Sequence, residues 1–174
     1  MKNTFEITRE QILELEADGL SYVRQWFPQA FELEVGKWYK RDGEFLFNFQ
    51  GKYSVSNDSG SYGFSSNNNW WENIGVDKRR YYPPATEEEV KTALIAEAKK
   101  RGFEGTNAIK WKFGDASYSI THPELSSFKF ENNNRLTFAC GVVFQDGKWC
   151  EIITQPLTIE ERLTNLELRW TDTH

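Results

Sequence analysis

The residue types best suited to chemistry in this 174-residue chain form a short run of cations and aromatics at residues 78–82. The run consists of Lys78, Arg79, Arg80, Tyr81 and Tyr82. Its cations can bind phosphates while its tyrosine rings stack on unpaired bases, so the run suits RNA. Tyrosine and arginine are also enriched at the energetic centres of protein interfaces. A solvated charge run with its tyrosines tucked into the core is the structural alternative.

A second aromatic feature lies upstream of this run, where Trp70 and Trp71 follow three asparagines. Adjacent side chains on a β-strand point to opposite faces of the sheet, so we expect one of the two indoles to be exposed. An exposed indole among asparagine amides can stack on a sugar, a base or a partner side chain. The alternative places one ring in the core and the other over the edge of the sheet.

Groups that commonly perform catalysis are scarce in this sequence. It has two histidines, His122 and His174, and two cysteines, Cys140 and Cys150. These residues have no zinc-site spacing, and the chain contains neither a phosphate loop nor a nucleophile elbow. The sequence therefore favours a protein that is not an enzyme and needs no cofactor or metal. An unfamiliar metal-dependent enzyme that uses Asp and Glu pairs is an alternative.

Composition narrows the broad class of the protein. Aromatic residues make up 16% of the chain, which excludes a largely disordered protein. The net charge of -5 excludes a basic footprint over the whole surface, although a local basic patch remains compatible with it. No apolar run approaches the roughly 20 residues that span a bilayer, and the N-terminus lacks the apolar core of a signal peptide. A cytoplasmic protein is expected.

The elements that must position these residues begin with two short helices. A capping-box spacing starts at Thr8, and Pro28 is expected to end the second helix. We therefore expect a helical hairpin over residues 8–27. Its acidic outer face includes Glu10 and Glu14, which suit an interface with a basic partner.

Two β-rich stretches are expected, over residues 36–72 and 108–153. In the first stretch Phe45, Phe47 and Phe49 alternate, which predicts that they share one buried face of a strand. Short turns join neighbouring strands in both stretches. This pattern favours a twisted antiparallel sheet that curls toward a partly closed barrel.

One central amphipathic helix is expected over residues 86–102. Thr86 and Glu89 have the spacing of a capping box, and Gly102 stands where a C-terminal glycine is common. Together with the helical hairpin and the sheet, this helix predicts an α+β fold. The fold would form a single domain over residues 1–155.

The remaining residues, 156–174, are expected to form a C-terminal helical arm. Ile159, Leu163, Leu166 and Trp170 follow one another at spacings of four, three and four, which gives a narrow apolar stripe. The stripe either packs on the sheet or forms an interface, for example in a homodimer.

Four ordered segments resemble small proteins encoded by phages and prophages of Bacteroidetes and Flavobacteria. The segments are FPQAF at 27–31, VGKWYK at 35–40, ATEEEVKTALIAEAKKRGF at 85–103 and DGKWCEII at 146–153. Small phage proteins without catalytic motifs often act on host defence. The resemblance therefore implies an anti-CRISPR protein in the cytoplasm of an infected bacterial host. Its expected partner is an RNA-guided type VI ribonuclease or the guide RNA. A carbohydrate-binding or virion accessory module is the alternative.

Overall fold

The fold is described from a computed structural model that covers residues 7–17, 19, 22–41, 45–54, 60–65, 67–78, 80–104, 107–131 and 134–153. Within these ranges three α-helices are present, namely α1 (Arg9–Ala17), α2 (Val23–Trp26) and α3 (Glu87–Lys100). Two short 3-10 helices span Pro28–Phe31 and Pro123–Leu125. The strands are β1 (Trp38–Arg41), β2 (Phe45–Asn48), β3 (Ser61–Phe64), β4 (Trp70–Ile74), β5 (Ile109–Phe113), β6 (Ala116–Ile120), β7 (Phe128–Glu131), β8 (Arg135–Phe138), β9 (Gly141–Gln145), β10 (Lys148–Trp149) and β11 (Glu151–Ile152). The described chain is thus mostly β, and the expected α+β fold is wrong.

The strands form three separate antiparallel sheets. The first has the order β1-β2-β3-β4, the second β10-β9-β8-β7 and the third β11-β5-β6. The single sheet curled toward a barrel is therefore wrong, because none of the three sheets closes on itself. The physical reason lies in β11, which returns to pair with β5 and so divides the second β-rich stretch between two sheets.

The helical hairpin expected over residues 8–27 is also wrong. The second helix, α2, has only four residues, no side-chain cap and a single buried side chain, that of Val23. A 3-10 helix begins directly at Pro28. Proline cannot continue an α-helix, and four residues make little more than one helical turn, which is too short to be stable by itself.

The central helix has the capping box that its sequence predicts. Glu89 N–H donates to Thr86 Oγ1 over 3.3 Å, and Thr86 N–H donates to Glu89 Oε2 over 2.8 Å. Gly102 follows the helix with a positive φ of 108°, a conformation that a glycine adopts without strain. One face of α3, including Val90 and Leu94, is buried in the main core.

The first sheet separates two apolar clusters, because alternate residues of its strands point to opposite faces. Trp38 lies in the main core with α3 and the second sheet, whereas its neighbour Tyr39 lies in a smaller cluster on the other face. Phe47 and Phe49 are buried in that smaller cluster, as their alternation predicts. Phe45, the first residue of β2, is only half-buried.

A buried amide network joins the first sheet to the second. Asn134, just before β8, accepts hydrogen bonds at Oδ1 from Trp38 Nε1 (3.1 Å) and from Asn48 Nδ2 (2.9 Å). Asn48 is fully buried and also donates to Gly36 O over 2.8 Å. The network therefore fixes how two sheets of distant sequence meet.

The predicted C-terminal arm, with Leu163, Leu166 and Trp170, lies outside the described residues. Among the residues that are described, no helix is both long and apolar enough to cross a membrane.

Candidate functional site

Strand β4 directs its two adjacent tryptophans to opposite sides of the first sheet. The Trp70 ring packs in the main core, 5.4 Å from Tyr62 and 5.6 Å from Trp149 between ring centroids. The Trp71 side chain is 53% exposed. Trp70 is therefore a structural residue, and Trp71 is the member of the pair that a ligand can contact.

Trp71 borders a cavity of about 330 Å³ at the open end of the smaller cluster. We call this feature the Trp71 cavity. Its apolar wall is formed by Trp71, Phe45 and Ile74, and its polar wall includes Arg41 with two asparagines, Asn67 and Asn69. A concave site with aromatic walls and a few polar groups is the usual form of a binding pocket.

The guanidinium of Arg41 is held in place at this cavity. Its Cζ lies 4.4 Å from the centroid of the Phe45 ring, and its Nη1 donates to Gly75 O over 3.3 Å. A guanidinium over an aromatic face is attracted by the negative face of the ring. The cavity thus offers a positioned cation beside an exposed indole.

The loop that carries the two asparagines is braced by hydrogen bonds. Ser65 N–H donates to Asn69 O over 3.0 Å, and Asn68 N–H donates to Ser65 O over 2.9 Å. Lys100 Nζ, at the end of α3, donates to Asn68 O over 2.9 Å. Because the wall is already tied to the helix, a ligand would find this side of the cavity largely pre-organised.

The structure divides the basic and aromatic run of residues 78–82 between the core and the surface. Tyr82 is buried at 3% exposure, and its hydroxyl accepts a hydrogen bond from Asp77 N–H over 3.0 Å. Burial raises the pKa of the Tyr82 hydroxyl. Lys78, Arg80 and Tyr81 are exposed, with the Lys78 ammonium 5.9 Å from the Tyr53 ring. Arg79 lies outside the described residues.

The exposed cations of this run do not line the Trp71 cavity, because the Lys78 ammonium lies toward the ring of Tyr53, which packs on Phe49. Two residues separate Gly75, which lines the cavity, from Lys78, so the Cα atoms of Gly75 and Lys78 are at most about 11 Å apart. The positive charges of Arg41 and Arg80 both lower the pKa of the Tyr82 hydroxyl, although the larger effect of burial outweighs them. Arg41, which lines the cavity, and Arg80, which belongs to the run, therefore both act on the Tyr82 hydroxyl, together with the negative charge of Asp77.

The acidic residues expected at an interface lie on α1. Glu10 and Glu14 are exposed, and neither borders the Trp71 cavity. Hydrogen bonds from its own backbone N–H and from Thr8 lower the pKa of the Glu10 carboxyl. The neighbouring Arg9 contacts Glu34 across a 3.0 Å ion pair, which ties α1 to the segment before β1.

Two residues of the cavity, Arg41 and Phe45, were not expected to have a functional role. The alternation of Phe45 with Phe47 marks a shared face, but it does not show that this face opens at one end. No pattern near Arg41 shows that it reaches Gly75, because β1 and β4 stand at opposite ends of the sheet order. Across the described ranges, no three His, Cys, Asp or Glu side chains come together as metal ligands would.

No family model matches the sequence, and neither a curated protein nor a solved structure matches it. Function is therefore argued from the geometry of the Trp71 cavity and its surroundings.

Proposed function

We propose that this protein is a non-catalytic inhibitor of an RNA-guided type VI ribonuclease of the bacterial host. It would act in the cytoplasm of an infected cell by binding an unpaired nucleotide of the RNA in the Trp71 cavity. The C-terminal arm and the acidic face of α1 are candidate contacts to the ribonuclease itself.

The observation that carries this proposal is the exposed indole of Trp71 beside the positioned guanidinium of Arg41. Unpaired bases stack on aromatic side chains, and cations along the same groove bind the backbone phosphates. Lys78 and Arg80 extend the positive charge beyond the cavity, which suits the next phosphates of a single strand. The resemblance to phage-encoded proteins supports an inhibitory role against the host.

The direct test is the affinity of the protein for a fluorescent single-stranded RNA. Trp71→Ala should weaken binding by about tenfold to hundredfold, because stacking of one base contributes roughly 1–3 kcal/mol. The chain offers a matched control in Trp26, which is 65% exposed on α2 and is not among the residues that line the cavity. Trp26→Ala should leave RNA affinity unchanged. Absence of RNA binding, or an equal loss in both variants, would contradict the RNA contact.

The identity of the target needs a separate experiment with the ribonuclease. The tagged protein should co-purify with a guide-loaded type VI effector more strongly than with the guide-free enzyme, and it should reduce target-RNA cleavage. Trp71→Ala should lose both effects, and Trp26→Ala should keep them. If no effector from a flavobacterial panel is retained or inhibited, the inhibitor hypothesis is wrong even where RNA binding holds.

A carbohydrate-binding or virion accessory role is the second candidate. It is favoured by Asn67 and Asn69, whose amides share the cavity with an indole that can stack on a sugar ring. A glycan array distinguishes the two functions. Sugar binding should depend on Trp71 and vary little with salt, whereas RNA binding should weaken steeply as salt rises.

A further inference from the structure

The outer edge of β6 is an unpaired strand edge among the described residues. The third sheet has the order β11-β5-β6, so β6 has a partner on one side only. Its side chains are those of Ala116, Ser117, Tyr118, Ser119 and Ile120. None of these five side chains is charged, and those of Ala116, Ser117 and Ser119 are exposed. An edge of this kind is a template for pairing with another strand.

The register shows which backbone groups of β6 face outward. β5 and β6 are joined by the two-residue turn of Gly114 and Asp115, so the flanking pair Phe113 and Ala116 is hydrogen-bonded. Hydrogen-bonded and non-bonded pairs then alternate along the ladder. Ser117 and Ser119 fall in non-bonded pairs, so their N–H and C=O groups point away from β5.

A contact on the other side of β5 supports this register independently. Ile153 N–H donates to Lys110 O over 2.8 Å, so the backbone of Lys110 faces β11. Lys110 is paired with Ser119, and therefore Ser119 also directs its backbone groups away from β5. Two N–H and two C=O groups are thus presented along the free edge.

The other strands at sheet edges each carry a protective feature that β6 lacks. The edge of β1 is covered by the segment that precedes α3, since Lys40 N–H donates to Pro83 O over 2.8 Å. The strands β4, β7, β10 and β11 all carry a charged residue, and β4 also has a register shift against β3. Charges and bulges are the usual means of preventing edge pairing.

Charge on the solvent face of the third sheet indicates the chemistry of a partner. Lys110 and Lys112 are exposed on β5, directly opposite Ser119 and Ser117. Neither lysine has an ion pair or a side-chain hydrogen bond to the rest of the described chain. A strand added to β6 would lie about 10 Å from β5, two strand spacings away. Because the side chains of Ser117 and Ser119 are short, the lysine side chains of β5 can reach over β6 and contact long side chains of the added strand.

We propose that the β6 edge binds an extended peptide by strand addition, and that the peptide carries acidic side chains two residues apart. The backbone of Ser117 and Ser119 supplies the hydrogen bonds, and the two lysines select for glutamate or aspartate on the solvent face. Strand addition of this kind gives affinity through the main chain and specificity through alternate side chains. Because the strand has five residues, the complex is expected to be transient.

A pair of fluorescent peptides tests the proposal, one of sequence TVEVEVT and one of sequence TVKVKVT. The glutamate peptide should bind, and the lysine peptide should bind at least about tenfold more weakly because of repulsion from Lys110 and Lys112. On addition of the glutamate peptide, amide hydrogen exchange should slow at Ser117 and Ser119. The amide of Tyr118 already pairs with β5 and should change little.

Proline substitution separates the backbone contact from the side chain. Ser117→Pro removes an outward N–H from an edge strand, where proline is tolerated, and should weaken peptide binding about tenfold. Ser117→Ala keeps the N–H and should bind as the parent protein does. If Ser117→Pro does not fold, the double change Lys110→Glu and Lys112→Glu takes its place and should reverse the peptide preference.

Three outcomes would overturn the proposal. The first is equal binding of both peptides, or of neither. The second is binding that Ser117→Pro leaves intact in the folded protein. The third is a concentration-dependent dimer that protects Ser117 and Ser119 without any peptide, since that result would assign the edge to a second copy of the chain.

Discussion

The two sides of β4 show how one strand serves both stability and recognition. On the inner side, Trp70 belongs to a packed aromatic cluster with Tyr62, Phe144 and Trp149. On the outer side, Trp71 is more than half exposed beside Arg41. The same residue type thus stabilises the core at one position and forms the wall of a cavity at the next.

The difference between Trp70 and Trp71 shows which aromatic residues of this protein are candidates for binding a partner. The buried aromatic rings of the first sheet pack against other rings of the core. This packing explains why aromatic residues stand at those positions, without any role in binding a ligand. The Trp71 ring has no comparable set of aromatic contacts among the described residues. Exposed rings that stand beside a fixed cation are therefore the ones that indicate a partner.

The largest expected effect comes from exchanging the two tryptophans for alanine one at a time. Trp70→Ala should lower the free energy of unfolding by about 3–5 kcal/mol, because it leaves a cavity in the core. Trp71→Ala should change it by about 0.5 kcal/mol or less, as expected for a surface side chain. Urea denaturation of both variants measures the contrast. Similar losses of unfolding free energy in the two variants would contradict the assignment of Trp70 to the core and of Trp71 to the surface.

A second variant at the same position sharpens this test. The Trp70 indole N–H is buried and has no hydrogen-bond partner within the described part of the chain. Trp70→Phe removes that unpaired donor and keeps most of the ring, so it should destabilise much less than Trp70→Ala. A phenylalanine variant as unstable as the alanine variant would show that the indole N–H is paired in solution.

A smaller loss is expected at the amide network that joins the first two sheets. Asn134→Ala leaves Trp38 Nε1 without its acceptor and removes one partner of the buried Asn48. The expected loss in unfolding free energy is about 1–3 kcal/mol. Asn67→Ala, at the exposed wall of the cavity, is the control and should leave stability unchanged. Equal stability of both variants would contradict a structural role for the network.

Local patterns in the sequence predict those features that depend on neighbouring residues. The capping box of Thr86 and Glu89 follows from a spacing of three residues, and the alternation of Phe47 and Phe49 places both on one buried face. The opposite directions of Trp70 and Trp71 follow from the same period of two. Each of these outcomes needs only the geometry of one helix or one strand.

Features that depend on distant pairing could not be predicted in this way. The division of the strands into three sheets depends on β11 pairing with β5, about 40 residues earlier, and no local signal specifies that choice. The Trp71 cavity likewise depends on Arg41 reaching Gly75 across the ends of the first sheet. The free edge of β6 is visible only once its single partner is known.

Residues 78–82, like the two tryptophans of β4, are divided between the core and the surface. Removing the exposed cations of this run should have an intermediate effect, on the salt dependence of RNA binding. Lys78→Ala combined with Arg80→Ala should lower the slope of log affinity for single-stranded RNA against log salt by about 1.4, roughly 0.7 for each phosphate contact. A titration series at several salt concentrations measures the slope. The double change Lys110→Ala and Lys112→Ala removes two cations from the third sheet and should leave the slope unaltered. If the first pair changes nothing, the run is not part of the RNA contact.

The smallest expected effect concerns Lys40 and Arg41, adjacent cations of β1 with different partners. Arg41 lines the Trp71 cavity, whereas Lys40 forms a 3.0 Å ion pair with Glu89, a member of the capping box of α3. Hydrogen bonds from the Thr86 backbone, and then from Lys40, lower the pKa of the Glu89 carboxyl below its ordinary value of 4.5. Because the folded-state pKa is the lower one, this carboxylate stabilises the protein above pH 4.5. The stabilisation is lost as the pH falls through the folded-state value.

Glu89→Gln isolates that charge, since glutamine can keep the hydrogen bonds of a capping box. The Glu89 side chain is 41% exposed, so solvent screening limits the expected loss at pH 7 to about 0.5 kcal/mol. The difference from the parent protein should shrink as the pH falls below 4.5, which denaturation at several pH values can follow. Glu88→Gln, in the same turn of α3, should have a smaller effect because Glu88 does not contact Lys40. A deficit for Glu89→Gln that stays constant down to low pH would show that packing, and not the carboxylate charge, sets the contribution of Glu89.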